Sequence, residues 1–396
     1  MSLENDRYIV HVGSAAGITH GTQFYVYRDQ SKLSKRKAPR TFVADQISLF
    51  YTSLKPLDDR PLKPLLNSPG AVIAKAGVRP DLVVHVPLKN QLAPLYEVML
   101  KLLYNATPES YHFFFTEDSS KADISLDVSE DGVLSVKVLD ERAAPHGFVK
   151  IPAEVPLKVD DIERFLISAA NFYRQLNQSI ANPETAKNIT LSLVELISSP
   201  LDYDENGRPL KLPAGGELLV GGIADIQVDA WDDHVTLGYE ITNNTAQDVY
   251  LHAFYFDHTE LSIGQSRLFI LSSLLRLNGL IDKIYPPPGE QTPIAKNGGT
   301  LRLGWGNGLD DIQYRFEIPE GQDIDIGFVK LMFSAAPVDL TSVVQRTVYR
   351  PPEEADGKQK MAEEMKMPSL LPPQDPDLEE VIGTSLYLLV QHRVPH

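Results

Sequence analysis

Short runs of apolar or alternating residues, broken by turn residues, recur through most of this chain, and that period-2 rhythm favours sheets over helices. YIVHV (8–12), FYVY (24–27), FVADQISLF (42–50), AVIAKAG (71–77) and LVVHVP (82–87) carry it early. NITLSLVEL (188–196), ELLVGG (217–222), ADIQVDA (224–230), HVTLGYEITN (234–243), DVYLHAFYFD (248–257), TLRLGW (300–305), QYRFEI (313–318) and DIDIGFVKLMFS (323–334) carry it later. Two stretches follow the helical period instead. QLAPLYEVMLKLLY (91–104) sets Leu92, Leu95, Met99, Leu102 and Leu103 on one face. DIERFLISAANFYRQLNQSI sets Ile162, Phe165, Leu166, Ala169, Phe172, Tyr173 and Leu176 in one stripe, with Asp160 or Asp161 as its cap.

These patterns predict a mainly β chain with α/β elements. A small β-barrel-like domain is expected over residues 1–88, an α/β domain with two helices over 89–185, and an antiparallel β sandwich over 186–349. Residues 350–380, rich in Pro, Glu and Lys, read as a solvated, disordered linker, and 381–396 as a terminal strand returning to a sheet. VLSVKVL (133–139) pairs with ADISLDV (122–128) through a Glu130-Asp131-Gly132 hairpin turn. Within DVYLHAFYFD, Tyr250, His252, Phe254 and Phe256 point one way and Leu251, Ala253, Tyr255 and Asp257 the other. Apolar groups on both sides predict a central strand covered twice. GQSRLFILSSLLRLNGLI (264–281) reads as an amphipathic helix packed on the sandwich, with a partner or membrane surface as the alternative.

The 396 residues contain no cysteine, which excludes disulfides, thiolate metal sites and a Cys nucleophile. A net charge of −16 argues against broad nucleic-acid binding. The polar start MSLENDRYIV and the lack of an 18-residue apolar run predict no signal peptide and no transmembrane helix, hence a cytoplasmic protein. On that reading the sequons at Asn105, Asn177, Asn188 and Asn243 are chance matches.

Residue patterns for chemistry are sparse. Ser14 in GSAAG lacks the elbow spacing of a serine nucleophile. His20-Gly21 and His146-Gly147 resemble caspase-type pairs but have no thiolate to serve, so turn residues are expected. His252, Asp257, His258 and Glu260 are weighed as zinc ligands and read instead as satisfied or surface groups. Asp202–Gly207 starts like an EF-hand loop, yet Pro213 stands where its last ligand should be, so a turn is expected. Asp323 and Asp325 read as solvated edge charges, and Gly304, Gly306 and Gly308 as a bulge or wide turn. No catalytic, cofactor or metal residue is therefore assigned. The basic residues Lys35, Arg36, Lys37 and Arg40, together with Trp305, are the candidates for partner binding.

Several strings resemble the non-catalytic C-terminal region of fungal (basidiomycete) caspase-like, peptidase C14-type proteins. They are HVGSAAGITHGTQFYVY (11–27), ERFLISAANFYRQL (163–176), GYEITNNTAQDVYLHAFYFD (238–257), GGTLRLGWGNG (298–308) and EGQDIDIGFVKLMFSAAPVDLTSVVQ (320–345). The resemblance implies a binding or regulatory module without a reactive centre, whose partner is a protein such as a caspase-like peptidase. Around 266–281 the chain departs from the pattern, as an inserted helix or a translated intron would. The alternatives are a metal-free hydrolase using a carboxylate–His site, or a glycan-binding sandwich using Trp231, Trp305 or exposed tyrosines.

Overall fold

The computed structural model describes residues 2–4, 7–12, 18–19, 21–27, 40–47, 51–58, 60–62, 64, 70–75, 77, 79–87, 92–107, 110–129, 132–152, 155–178, 188–203, 207, 209–228, 236–265, 292–303, 305, 318, 322–345, 347, 371–372 and 381–394. The chain divides into two compact units. One comprises Met1–Asp140, Glu154–Tyr173 and Met365–Pro372; the other comprises Glu141–Ala153, Arg174–Glu364 and Pro373–His396.

The first unit opens with β1 (Ser2–Glu4), β2 (Arg7–Val10), β3 (Gln23–Tyr27), β4 (Arg40–Ile47), β5 (Thr52–Pro56) and β6 (Gly70–Lys75). They form one antiparallel sheet in the order β1-β2-β5-β4-β3-β6. Alternation turns Tyr8, Val10, Phe24, Val26, Phe42, Ala44 and Leu54 inward, and these pack with Ile18 into the core of a curled half-barrel. The rings of Tyr8 and Phe42 meet at 5.1 Å. Each fully buried side chain of this size contributes about 1.5–3 kcal/mol.

A second sheet combines β7 (Leu82–His85), β8 (Phe113–Thr116), β9 (Ile124–Val128) and β10 (Leu134–Val138) in the order β10-β9-β7-β8. β7 runs parallel to β8 and to β9. LVVHVP therefore does not belong with the first sheet, as its pattern suggests, but sits inside the second. An all-apolar strand reads alike in a barrel and in a parallel sheet, so only pairing separates the two. Helix α1 (Ala93–Tyr104) links β7 to β8 and buries Leu95, Val98 and Leu102. Helix α2 (Val159–Asn177) follows β10 and carries Asp160 and Asp161 within its first turn, where a carboxylate favours the positive helix end. Its predicted stripe is buried throughout. Lys101 and the buried Glu163 join the two helices at 2.6 Å.

The second unit is a sandwich. β11 (Ile189–Tyr203), β12 (Pro209–Pro213), β15 (Thr236–Asn243) and β18 (Gly299–Leu303) form one sheet, ordered β12-β11-β15-β18. The other contains β13 (Leu219–Val220), β14 (Ile223–Val228), β16 (Tyr250–Asp257), β17 (Ser262–Gln265), β19 (Ile324–Ser334) and β20 (Val381–Arg393), ordered β13-β14-β20-β19-β16-β17. Pairing is antiparallel apart from β14 with β20. Leu193, Tyr239 and Ile241 from one sheet meet Ile226, Tyr255, Leu331 and Leu389 from the other in a shared core. The terminal strand returns to a sheet, as its pattern predicts. Asn243 is fully buried and donates from Nδ2 to the carbonyls of Gln247 and Ile294, so that sequon cannot carry a glycan in the fold. The expected helix over 266–281, the strand over 313–318 and most of the linker lie outside the described residues. Among the described residues no helix is long and apolar enough to cross a membrane.

Candidate functional site

In the six-stranded sheet of the sandwich, β16 and β19 are buried on both faces. Ala253 and Tyr255 of β16 enter the sandwich core, while His252, Phe254 and Phe256 turn the other way and are buried with Phe328, Lys330 and Met332 of β19. Lys330, His252 and Ser334 are polar groups in this second, largely apolar layer.

The Lys330 ammonium donates to the backbone carbonyls of Gln175 and Gln178 at the end of α2, and lies 6.0 Å from the centre of the Phe256 ring. Carbonyls at a helix C-terminus carry partial negative charge and welcome a cation. Burial, and then the nearby Arg142, push the lysine down to about 7. The carbonyls and the ring act in the opposite sense, because they stabilise the charged form.

His252 brings together the residue types of a hydrolytic triad. Its Nε2 lies 3.3 Å from Ser334 Oγ, and Asp339 acts on it through its charge. The arrangement nonetheless presents no nucleophile. Ser334 is completely buried, and its hydroxyl donates to the Ala336 carbonyl at 2.7 Å. Asp339 is held below the usual carboxylate range by hydrogen bonds from the Thr341 hydroxyl and amide. Burial outweighs the pull of Asp339 and lowers His252 to about 4. Between its unfolded value of 6.5 and about 4, the unfolded chain takes up a proton that the folded chain refuses. Stability from this group is thus present above pH 6.5 and is lost as pH falls. Urea unfolding should show a loss of about 2 kcal/mol from pH 7 to pH 4.5, diminished in His252→Gln. An equal acid loss in both proteins would show that His252 is not the group responsible.

At the other end of β16 the Asp257 carboxylate accepts the Glu260 amide at 3.0 Å, and Thr259 Oγ1 donates to Asp325 at 2.6 Å. His258 meets Phe148 edge-on at 6.2 Å and Phe328 at 5.1 Å. His252 and His258 are roughly 20 Å apart along the strand direction, too far to share an ion. No group of three potential ligands gathers among the described residues. Asp325 corrects the expectation of solvated edge charges: β19 lies between β16 and β20, so Asp325 is buried and only Asp323 is exposed.

Of the partner-binding candidates, Lys35, Arg36 and Lys37 lie outside the described residues. Arg40 is part of β4. It pairs with Asp58 at 2.5 Å, donates to the carbonyls of Asp58, Arg60 and Pro61, and lies 5.2 Å from the Phe42 ring. Arg60, and next among the neighbouring side chains Arg40, hold the Asp58 carboxyl down at about 2. Arg40 thereby ties down the turn after β5. Trp305 donates from Nε1 to the Tyr239 carbonyl at 3.2 Å, and one face of its ring is covered by Arg302 at 4.8 Å. Gly238 makes room for it, since a Cβ there would lie 2.8 Å from the indole nitrogen.

The structure adds a feature that the sequence pattern misses. β11 leaves β15 at Leu196–Thr236 and continues to Tyr203, paired only with β12 among the described residues. This two-stranded arm exposes Ile197 and Leu212, which are register partners, with Leu201 at 85% and Tyr203 at 56% of full exposure. Ser198-Ser199-Pro200 reads as a turn, which hides the continuation. In the fold the Ser199 hydroxyl donates to the Asp202 carboxylate at 2.9 Å and accepts the Leu201 and Asp202 amides, so the irregularity is absorbed within the strand.

No family model matches the chain. No curated protein matches it either. Among solved structures, a hemolymph-type prophenoloxidase from a crustacean aligns at 12% identity with a TM-score of 0.22. The alignment covers 59% of this chain and 38% of that one, and a likeness this remote supports no argument about fold or function.

Proposed function

We propose that this chain is a non-catalytic binding module that engages a protein partner, a caspase-like peptidase, through the β11–β12 arm. The supporting observation is the exposure of Ile197, Leu201, Tyr203 and Leu212 together on one ribbon. Clustered apolar side chains of this kind are worth keeping in water only where something covers them. Pro209 and Pro213 bracket β12 and remove amide donors from its edge, which disfavours strand addition and leaves the side-chain surface as the contact.

A photo-crosslinking benzophenone at position 201 tests this in native extract, with the same group at the exposed position 57 as control. One peptidase-like adduct of defined mass should form at 201 and not at 57. Ile197→Asp with Leu212→Asp should reduce it about tenfold or more. The same adducts at both positions, an adduct that survives the charged variant, or none at all would count against the arm.

A further inference from the structure

The mixed sheet of the first unit buries one face and leaves the other half-exposed. Leu82, Val84, Ile124, Leu126, Val136 and Val138 occupy the buried face. The opposite face carries one polar row across all four strands: Thr116 of β8, His85 of β7, Ser125 of β9 and Lys137 of β10. His85 is in register with both Thr116 and Ser125, and Ser125 with Lys137. At about 4.8 Å per strand the row spans about 14 Å. His85 and Thr116 are the last residues of their strands. The chain leaves β7 toward β8 on one side and leaves β9 toward β10 on the other. The row thus lies at the carboxyl ends of β7 and β8 and beside the second residue of β9, where β7 stops and β9 continues.

The row keeps three donor groups for a ligand: one from the His85–Ser125 pair, the Thr116 hydroxyl and the Lys137 ammonium. His85 Nδ1 and Ser125 Oγ are 2.7 Å apart. If the hydroxyl donates, the ring retains its Nε2 proton; if Nδ1 donates, the hydroxyl proton remains. Thr116 Oγ1 accepts the Asp118 amide at 3.0 Å, which leaves its own proton. Lys137 is exposed and has no carboxylate partner among the described residues. The next carboxylate along β9, Asp127, accepts the Val128 amide at 2.8 Å. Ser125 sits on an extended strand without the sharp turn that presents a serine nucleophile, so the pair serves binding rather than attack. Three donor groups side by side, one of them a cation and none of them a carboxylate, suit an oxyanion.

We propose that Thr116, His85, Ser125 and Lys137 bind a phosphate monoester group. This goes beyond the partner reading, which rests on the other unit. The test titrates the full-length protein with inorganic phosphate, O-phosphoserine and a nucleoside monophosphate. Amide resonances of residues 83–86, 124–127 and 136–138 are followed against sodium chloride of equal ionic strength. Saturable shifts confined to these strands are expected. Ser125→Ala with Lys137→Ala should weaken them about tenfold or more at an unchanged unfolding midpoint. Ile197→Asp with Leu212→Asp should leave them intact, which separates this site from the arm. Tighter binding of phosphoserine would identify a modified protein as the source, and tighter binding of the nucleotide a metabolite. Shifts reproduced by chloride, retained in the Ser125/Lys137 variant, or absent with all three phosphates would overturn the proposal.

Discussion

Replacing Gly327 by alanine is expected to cost the second unit about 3 kcal/mol or more, read as a lowered urea midpoint. Gly327 lies mid-strand in β19 between Asp257 and Leu389, and the Tyr255 ring crosses directly over it. A Cβ at this position would stand 2.1 Å from the ring carbon Cζ and 2.0 Å from the hydroxyl oxygen. The ring has nowhere to go. Tyr255 is 1% exposed, packs within the sandwich core, and its hydroxyl accepts from Gln391 Nε2 at 3.3 Å. The clash is with the ring itself, so Tyr255→Phe would not relieve it. Tyr255→Leu should relieve it, and Gly327→Ala with Tyr255→Leu should cost less than the sum of the single changes. Additive costs, or a loss below about 1 kcal/mol for Gly327→Ala alone, would show that the close approach is unimportant.

The second large effect belongs to Lys330. Lys330→Ala should lower stability by about 4 kcal/mol, because it opens a cavity in the buried layer and removes the donor shared by the Gln175 and Gln178 carbonyls. Lys330→Met refills most of the volume without restoring the donor, and should remain about 1–3 kcal/mol below the parent at neutral pH. The pH dependence is distinctive. The folded value lies near 7 and the unfolded value at 10.5, so across that window the unfolded chain holds the extra proton. Stability from this group therefore rises with pH between about 7 and 10.5, at up to about 1.4 kcal/mol per pH unit, and Lys330→Met should abolish the rise. An unchanged slope in Lys330→Met would place the titration elsewhere.

What could be read in advance is uneven for identifiable reasons. DVYLHAFYFD carries apolar groups at both parities, and β16 is covered on both sides; an apolar pattern reports burial directly. Both helices appear where the 3.6-residue period places them. LVVHVP is assigned to the wrong sheet because its pattern says that it is buried, not what it pairs with. Asp325 looks like an edge charge because alternation gives no strand order, and burial on β19 follows from neighbours more than sixty residues away in sequence. Arg40 ends a basic run in the sequence and is spent on a turn beyond β5 in the fold. The row of Thr116, His85, Ser125 and Lys137 has no signature of its own, since its members are scattered over 85–137 and meet only through register.

By itself the sequence determined local periodicity: a β-rich chain, two amphipathic helices, the turns between runs, and the absence of any thiol chemistry. Those are properties of neighbours along the chain, set by backbone sterics and by the alternation of side chains. Strand order decided everything else, including the shared sandwich core, the lysine against the end of α2, the glycine beneath Tyr255, the exposed arm and the donor row. Each depends on which distant segments hydrogen-bond and in what register, and a shift of one residue would send every side chain of a strand to the opposite face.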